Sequence, residues 1–122
     1  MDIELASFGV TADARAVLEA LGVDPEGARR LAFKAIMRPV VLRGVKGAAA
    51  NLLKQEMLAR GGDCAVPSRA VMHPAELVDA CLLGTLQDYR SLLKYLRNTP
   101  LFGLPEVGQK LGALLASDFA PE

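Results

Sequence analysis

The residue pattern predicts an α/β domain: a small sandwich of about four short strands and about five helices around a mixed sheet. Three observations predict it. Apolar residues recur at helical spacing in several segments. Short apolar runs of strand length lie between them. Glycine or proline stands at most of the junctions. The chain has 122 residues, which suits one domain and suffices to bury a core without metal or disulfide staples. Apolar residues make up 52% and charged residues 23%, a globular composition that argues against a disordered chain.

The elements follow in order. Residues 3–8 alternate apolar and polar, the period of a half-buried strand, and Gly9 breaks them. Thr11 reads as a helix cap, and Asp13 suits the positive first turn. Ala14, Val17, Leu18 and Leu21 then share one helical face, and Gly22 is the stop. Asp24 as cap and Pro25 at the first helical position open a short helix to about Phe33. Residues 36–45 read as a strand around Val40-Val41-Leu42, with Pro39 at its start or on an edge. Gly44 to Gly47 read as a turn. Residues 48–60 are rich in strong helix formers, and Gly61-Gly62 end them.

Cys64-Ala65-Val66 is a short apolar strand, with Ala70-Val71-Met72 as its continuation beyond Pro67. Residues 79–85 hold another apolar run. Thr85 and Asp88 have the spacing of a capping box, with Asp in place of the usual Glu. The helix they open runs to about Asn98. Leu86, Tyr89, Leu92, Leu93 and Leu96 lie on one side, and Arg90, Lys94, Arg97 and Asn98 on the other. Pro105 opens a last helix. The expected organisation is one domain over residues 1–116, then a tail or linker over 117–122. Val40 to Val66 reads strand–helix–strand, which predicts a right-handed crossover between parallel neighbours.

Several function classes are disfavoured. Lys+Arg and Asp+Glu both number 14, so no overall positive field draws the chain to nucleic acid. No apolar run reaches the length of a membrane-spanning helix, and the start Met1-Asp2-Ile3-Glu4 lacks the marks of a signal peptide. Cys64 and Cys81 sit in apolar surroundings and read as buried free thiols of a reducing cytoplasm. With His73 the one histidine and no C-x-x-C pair, no zinc set is expected. No Ser-His-Asp or Cys-His arrangement can be argued either.

Two groups of residues remain. Lys34, Arg38 and Arg43 around the central strand, with Arg69 and His73 after Val66, are a candidate anion-binding patch, or else a solvated strand face. On the helix over 48–60, Glu56 and Arg60 fall inside the apolar arc, as an ion pair at the core rim would. Leu58 falls on the opposite side with Lys54 and Gln55, a candidate contact for a partner domain. Gly44-Val45-Lys46-Gly47 does not fit a phosphate-loop motif.

The wording of some segments resembles a known family. Asn51-Leu52-Leu53-Lys54-Gln55-Glu56-Met57-Leu58, then Gly61-Gly62-Asp63-Cys64-Ala65-Val66, is similar to the N-terminal extension of a subset of bacterial dihydropteroate synthases. Leu83-Gly84-Thr85, Tyr89-Arg90 and Phe102-Gly103-Leu104 continue the likeness, which spans residues 1–116. Leu52 stands where that group has Ile, and Leu83 where it has Met. The resemblance implies an accessory domain of a folate-biosynthesis transferase that joins p-aminobenzoate to a pterin diphosphate. It implies no catalytic residue, metal or cofactor in this chain; the parent enzyme would use magnesium. The implied partners are the catalytic barrel of the same polypeptide and a second copy, with no nucleic acid and no membrane. The barrel itself needs about 250 residues and cannot fit here. The alternative is a free-standing regulatory module that binds a pterin, a folate or another anionic small molecule through Lys34, Arg38, Arg43 and Arg69.

Overall fold

The computed structural model describes residues 1–120. Helices α1 (Thr11–Ala20) and α2 (Pro25–Ala32) pack on each other ahead of strand β1 (Val40–Lys46). Helix α3 (Gly47–Ala59) leads to β2 (Asp63–Ala65), a single turn α4 (Arg69–Met72) and β3 (Leu77–Leu83). Helices α5 (Leu86–Arg97), α6 (Leu104–Leu114) and the one-turn α7 (Ala116–Phe119) follow.

The helix boundaries obey local chemistry. Gly22 and Gly61 adopt left-handed backbone at φ 98° and 96°. In each case the next N–H reaches back to the carbonyl five residues earlier, Val23 to Leu18 (3.2 Å) and Gly62 to Met57 (2.9 Å). Both stops are therefore Schellman motifs that satisfy otherwise orphaned carbonyls. The Asp24 carboxylate accepts from the Gly27 N–H (2.9 Å) and caps α2. At α5 the capping box is complete: the Asp88 N–H donates to Thr85 Oγ1 (3.3 Å), and the Thr85 N–H donates to Asp88 Oδ2 (2.8 Å). At α1, however, Val10 rather than Thr11 is the cap residue.

The sheet has three strands in the order β1-β3-β2, all antiparallel. The expected strand–helix–strand crossover is present, and β1 and β2 run the same way. They are not neighbours, because β3 returns between them and pairs with both. Crossover length dictates the relative direction of two strands but not their adjacency. The sheet is thus not mixed.

Other expectations are corrected. Residues 3–8 form no strand; Ile3 and Leu5 lie exposed, and Phe8 alone packs on the core. Alternation can mark a strand but cannot supply the edge it must pair with. Ala70-Val71-Met72 does not prolong β2; it belongs to α4, whose Ala70 is buried against the start of α3. The Gly44–Gly47 turn is absent. β1 runs through Gly44 with a bulge between Leu42 and Val45, and the Asp79 carboxylate accepts from the Gly44 N–H (2.9 Å). The tail from Ser117 is helical as far as Phe119, whose ring packs on Phe33 at 5.9 Å between centroids. The remainder of the expected tail lies outside the described residues.

One face of the sheet is inside. Val40, Leu82 and Cys64 form a buried cross-strand row, which α3 covers with Ala49, Ala50, Leu53 and Met57. The α5 stripe of Leu86, Tyr89, Leu92, Leu93 and Leu96 completes the core with Leu104, Leu111 and Leu115. The next row, Val41, Cys81 and Ala65, points the other way. The two cysteines therefore lie one register apart on opposite faces, and both thiols are free. Cys64 is buried as expected, whereas Cys81 is only half-buried because its face carries no helix of the core.

Candidate functional site

The four candidate anion ligands do not converge. Arg38 forms a two-bond ion pair with Asp118, Nε to Oδ2 at 3.2 Å and Nη2 to Oδ1 at 3.0 Å, and also donates to the Gly9 carbonyl. This pairing raises the already high guanidinium pKa. Arg38 clamps α7 and the N-terminal arm to the domain, so it is a structural cation. Arg43 is exposed and sits 3.4 Å from Asp79. The Asp79 carboxyl is held below its usual range, first by the Gly44 N–H and then by Arg43, with Arg69 adding a charge at longer range. Arg43 and Arg69 thus attend one carboxylate. Lys34 lies elsewhere, exposed in the turn after α2. His73, 4.0 Å from Glu76, lies near none of the others in any bonded arrangement.

The candidate contact face on α3 divides similarly. Lys54 Nζ donates to Asp63 Oδ1 (2.9 Å) and to the Cys64 carbonyl (3.0 Å), so it fastens α3 to β2. That bond holds the Asp63 carboxyl below its usual range. Gln55 and Leu58 remain outward, and Leu58 is 46% exposed. Glu56 and Arg60 pair at 3.1 Å, as their spacing implies. Arg60 also donates to Ser91 Oγ (2.8 Å) and lies over the Tyr95 ring, so the pair ties α3 to α5 at the core rim.

The N-terminus of α3 is filled by backbone. The Gly47 N–H donates to the Glu76 carbonyl (2.8 Å), and the Ala48 N–H donates to that of Pro74 (2.9 Å). Those donors are therefore not available to an anion. Cys64 is inert for a related reason: burial pushes its thiol up to about 11, far from a reactive thiolate.

Lys34 leads to a feature that the sequence did not disclose. It lines a cleft of about 800 Å³ between the end of α2 and the outer side of α5. Arg30, Arg90, Lys94 and Arg97 line the same cleft, and among the described residues no Asp or Glu does. Among the described residues none of these five cations has an ion-pair partner. The Arg90 guanidinium lies over the Phe33 ring, 4.7 Å from its centroid. The walls are fixed by backbone. The first N–H groups of α5, from Leu86 and Gln87, donate to the carbonyls of Ile36 and Phe33 (both 3.1 Å). The Arg38 N–H in turn donates to the Gly84 carbonyl (2.9 Å). The signal in the sequence was the spacing of Arg90, Lys94 and Arg97, which puts three cations on one side of α5. Nothing local says that Arg30 and Lys34 face them.

Among the described residues no cluster of three or more His, Cys, Asp or Glu side chains could hold a metal ion. No described helix is long and apolar enough to cross a membrane.

No known protein family's sequence profile matches the chain, and no solved structure matches it. Two proteins do. One, from Halobacterium salinarum, is described as a probable bifunctional folylpolyglutamate synthase/dihydropteroate synthase; it is 37% identical over 109 residues, 89% of this chain. The other, from Haloferax volcanii, has the same description and is 37% identical over 89 residues, 72% of this chain. Both organisms are archaea, so the matches do not support the restriction to bacteria that the resemblance carried. The chain spans 13% and 10% of the lengths of these two relatives, and is thus similar to one small part of large, two-activity folate-pathway proteins.

Proposed function

We propose that this chain is a non-catalytic accessory domain of a folate-biosynthesis polypeptide, docked beside a dihydropteroate synthase barrel. One observation carries the reading: nearly the whole chain aligns with about one eighth of a protein described as carrying that synthase activity. The fold is consistent with such a role. Its chemistry-bearing side chains Arg38, Lys54 and Arg60 are engaged in holding elements together. The outward Gln55 and Leu58 of α3 are the contact we assign to the barrel.

An antibody raised against this domain tests the reading in source cells. The expected band is at least about 40 kDa, the domain plus a barrel of about 250 residues. A sole band at 13.0 kDa overturns it. In the parent polypeptide, deletion of this segment should change oligomeric state or substrate affinity. Leu58→Asp should reproduce part of that change while the domain stays folded. Unchanged kinetics and assembly after deletion would refute the accessory role.

A further inference from the structure

We infer that the cleft between α2 and α5 is a binding site for a small polyanion, a ligand that carries two or more phosphate or carboxylate groups. The inference stands on the cleft alone and not on the accessory-domain reading.

The charge distribution is the first argument. The whole chain balances 14 cations with 14 anions, yet this one concavity collects five cations and, among the described residues, no carboxylate. Elsewhere most cations are paired, Arg38 with Asp118, Arg43 with Asp79, Lys54 with Asp63, Arg60 with Glu56 and Lys110 with Glu106, although Arg29, Lys46 and Arg69 form no ion pair among the described residues. Like charges gathered in one cleft repel each other and cost stability unless an anion joins them. Favourable contact with a helix dipole explains Lys94 and Arg97, in the last turn of α5, and Arg30, in the last turn of α2. It does not explain Arg90 in the middle of α5, nor the convergence of both groups on one cavity.

Geometry narrows the ligand. Arg30 and Lys34 stand four residues apart on one wall; Arg90, Lys94 and Arg97 follow helical spacing on the other. A ligand that engages both walls needs more than one anionic group. Arginines on both walls suit planar two-point recognition of phosphate or carboxylate. The volume is that of a small-molecule site. Single-stranded nucleic acid is disfavoured, because the aromatic rings here are already covered: Phe33 lies under Arg90 and against Phe119, so no free stacking platform remains. Arg90 is thereby also held in place, which lowers the ordering cost of binding.

The test uses the 122-residue chain itself. Inorganic triphosphate and citrate are titrated by calorimetry at low salt and again near 1 M salt. Saturable one-to-one binding is expected, lost at high salt as the screening length falls from about 10 Å to about 3 Å. The double variant Lys94→Glu/Arg97→Glu should weaken binding at least about tenfold, about 1.4 kcal/mol. Lys34→Glu, on the other wall, should act in the same direction. Arg69→Glu, exposed and outside the cleft, should leave affinity within about twofold; circular dichroism and melting check that each variant is folded. Tighter binding of triphosphate assigns the site to phosphates, and tighter binding of citrate assigns it to polycarboxylates. No saturable binding of either anion overturns the proposal, and so does equal weakening by Arg69→Glu. The parent deletion above can fail without affecting this result, and the reverse.

Discussion

Removing one oxygen from Tyr89 probes what holds the walls of the basic cleft. The Tyr89 ring is fully buried, and its hydroxyl donates a short hydrogen bond to the Arg38 carbonyl. Tyr89→Phe keeps the ring and opens no sizeable cavity, so the change isolates that bond. A net hydrogen bond is worth about 1 kcal/mol, and a carbonyl left without its donor costs about 1–3 kcal/mol. The bond is only partly shielded from solvent, which places the expected loss near 1.5 kcal/mol. A chain of 122 residues unfolds with an entropy of about 0.26 kcal/mol/K, so the melting temperature should fall by about 6 °C. Differential scanning calorimetry and urea unfolding measure it, with Tyr95→Phe as the control. Tyr95 is half-buried, and its hydroxyl makes no hydrogen bond within the described residues, so its loss should change stability by under about 0.5 kcal/mol. If Tyr89→Phe melts within about 1 °C of the parent, water replaces the donor. The backbone of the segment after α2 is then held by its three bonds to Gly84, Leu86 and Gln87 without help from the Tyr89 hydroxyl.

Four further outcomes follow from the same coordinates. Gly62→Ala would place a Cβ 2.5 Å from the Leu83 carbonyl and 2.9 Å from the Met57 methyl; since the carbonyl is backbone, chemical denaturation should show a loss of about 1–3 kcal/mol. On the alkaline side, the Cys64 proton is held more tightly in the folded state, with a pKa of about 11 against 9.0 for the free group. Stability from this group is therefore complete below about pH 9 and lost as pH rises through about 11, by up to about 2–3 kcal/mol, and Cys64→Ala should remove that slope. On the acid side, Asp63 and Asp79 have lowered pKa values, so their contribution is present above about pH 4 and lost as pH falls through their folded values. A thiol reagent should label Cys81 in the native protein and reach Cys64 only on unfolding; early labelling of both would contradict their placement on opposite faces.

Much of this architecture is written in short-range signals. Asp24 with Pro25, Thr85 with Asp88, and the glycines at 22 and 61 act within one helical turn, so their hydrogen bonds are decided by residues a few positions apart. The Glu56–Arg60 pair and the α5 apolar stripe are legible for the same reason. Where a signal needed a distant partner, sequence was silent or misleading. The apolar alternation of residues 3–8 lacked a strand edge to join, and β3 separated two strands whose crossover suggested neighbours. Arg38 reads as a free cation until Asp118, eighty positions on, folds back onto it. Arg30 and Lys34 meet Arg90, Lys94 and Arg97 only because the carbonyls of Phe33 and Ile36 take up the orphan N–H groups that start α5. Sequence alone determined the caps and stops of α2, α3 and α5 and the apolar face of α5, since those energies are local, but not the one-turn helices α4 and α7. The tertiary structure alone decided strand order, the opposite facing of the two thiols and the gathering of unpaired charge into one cleft. Each of these depends on which distant backbone groups satisfy one another, and no local pattern encodes that.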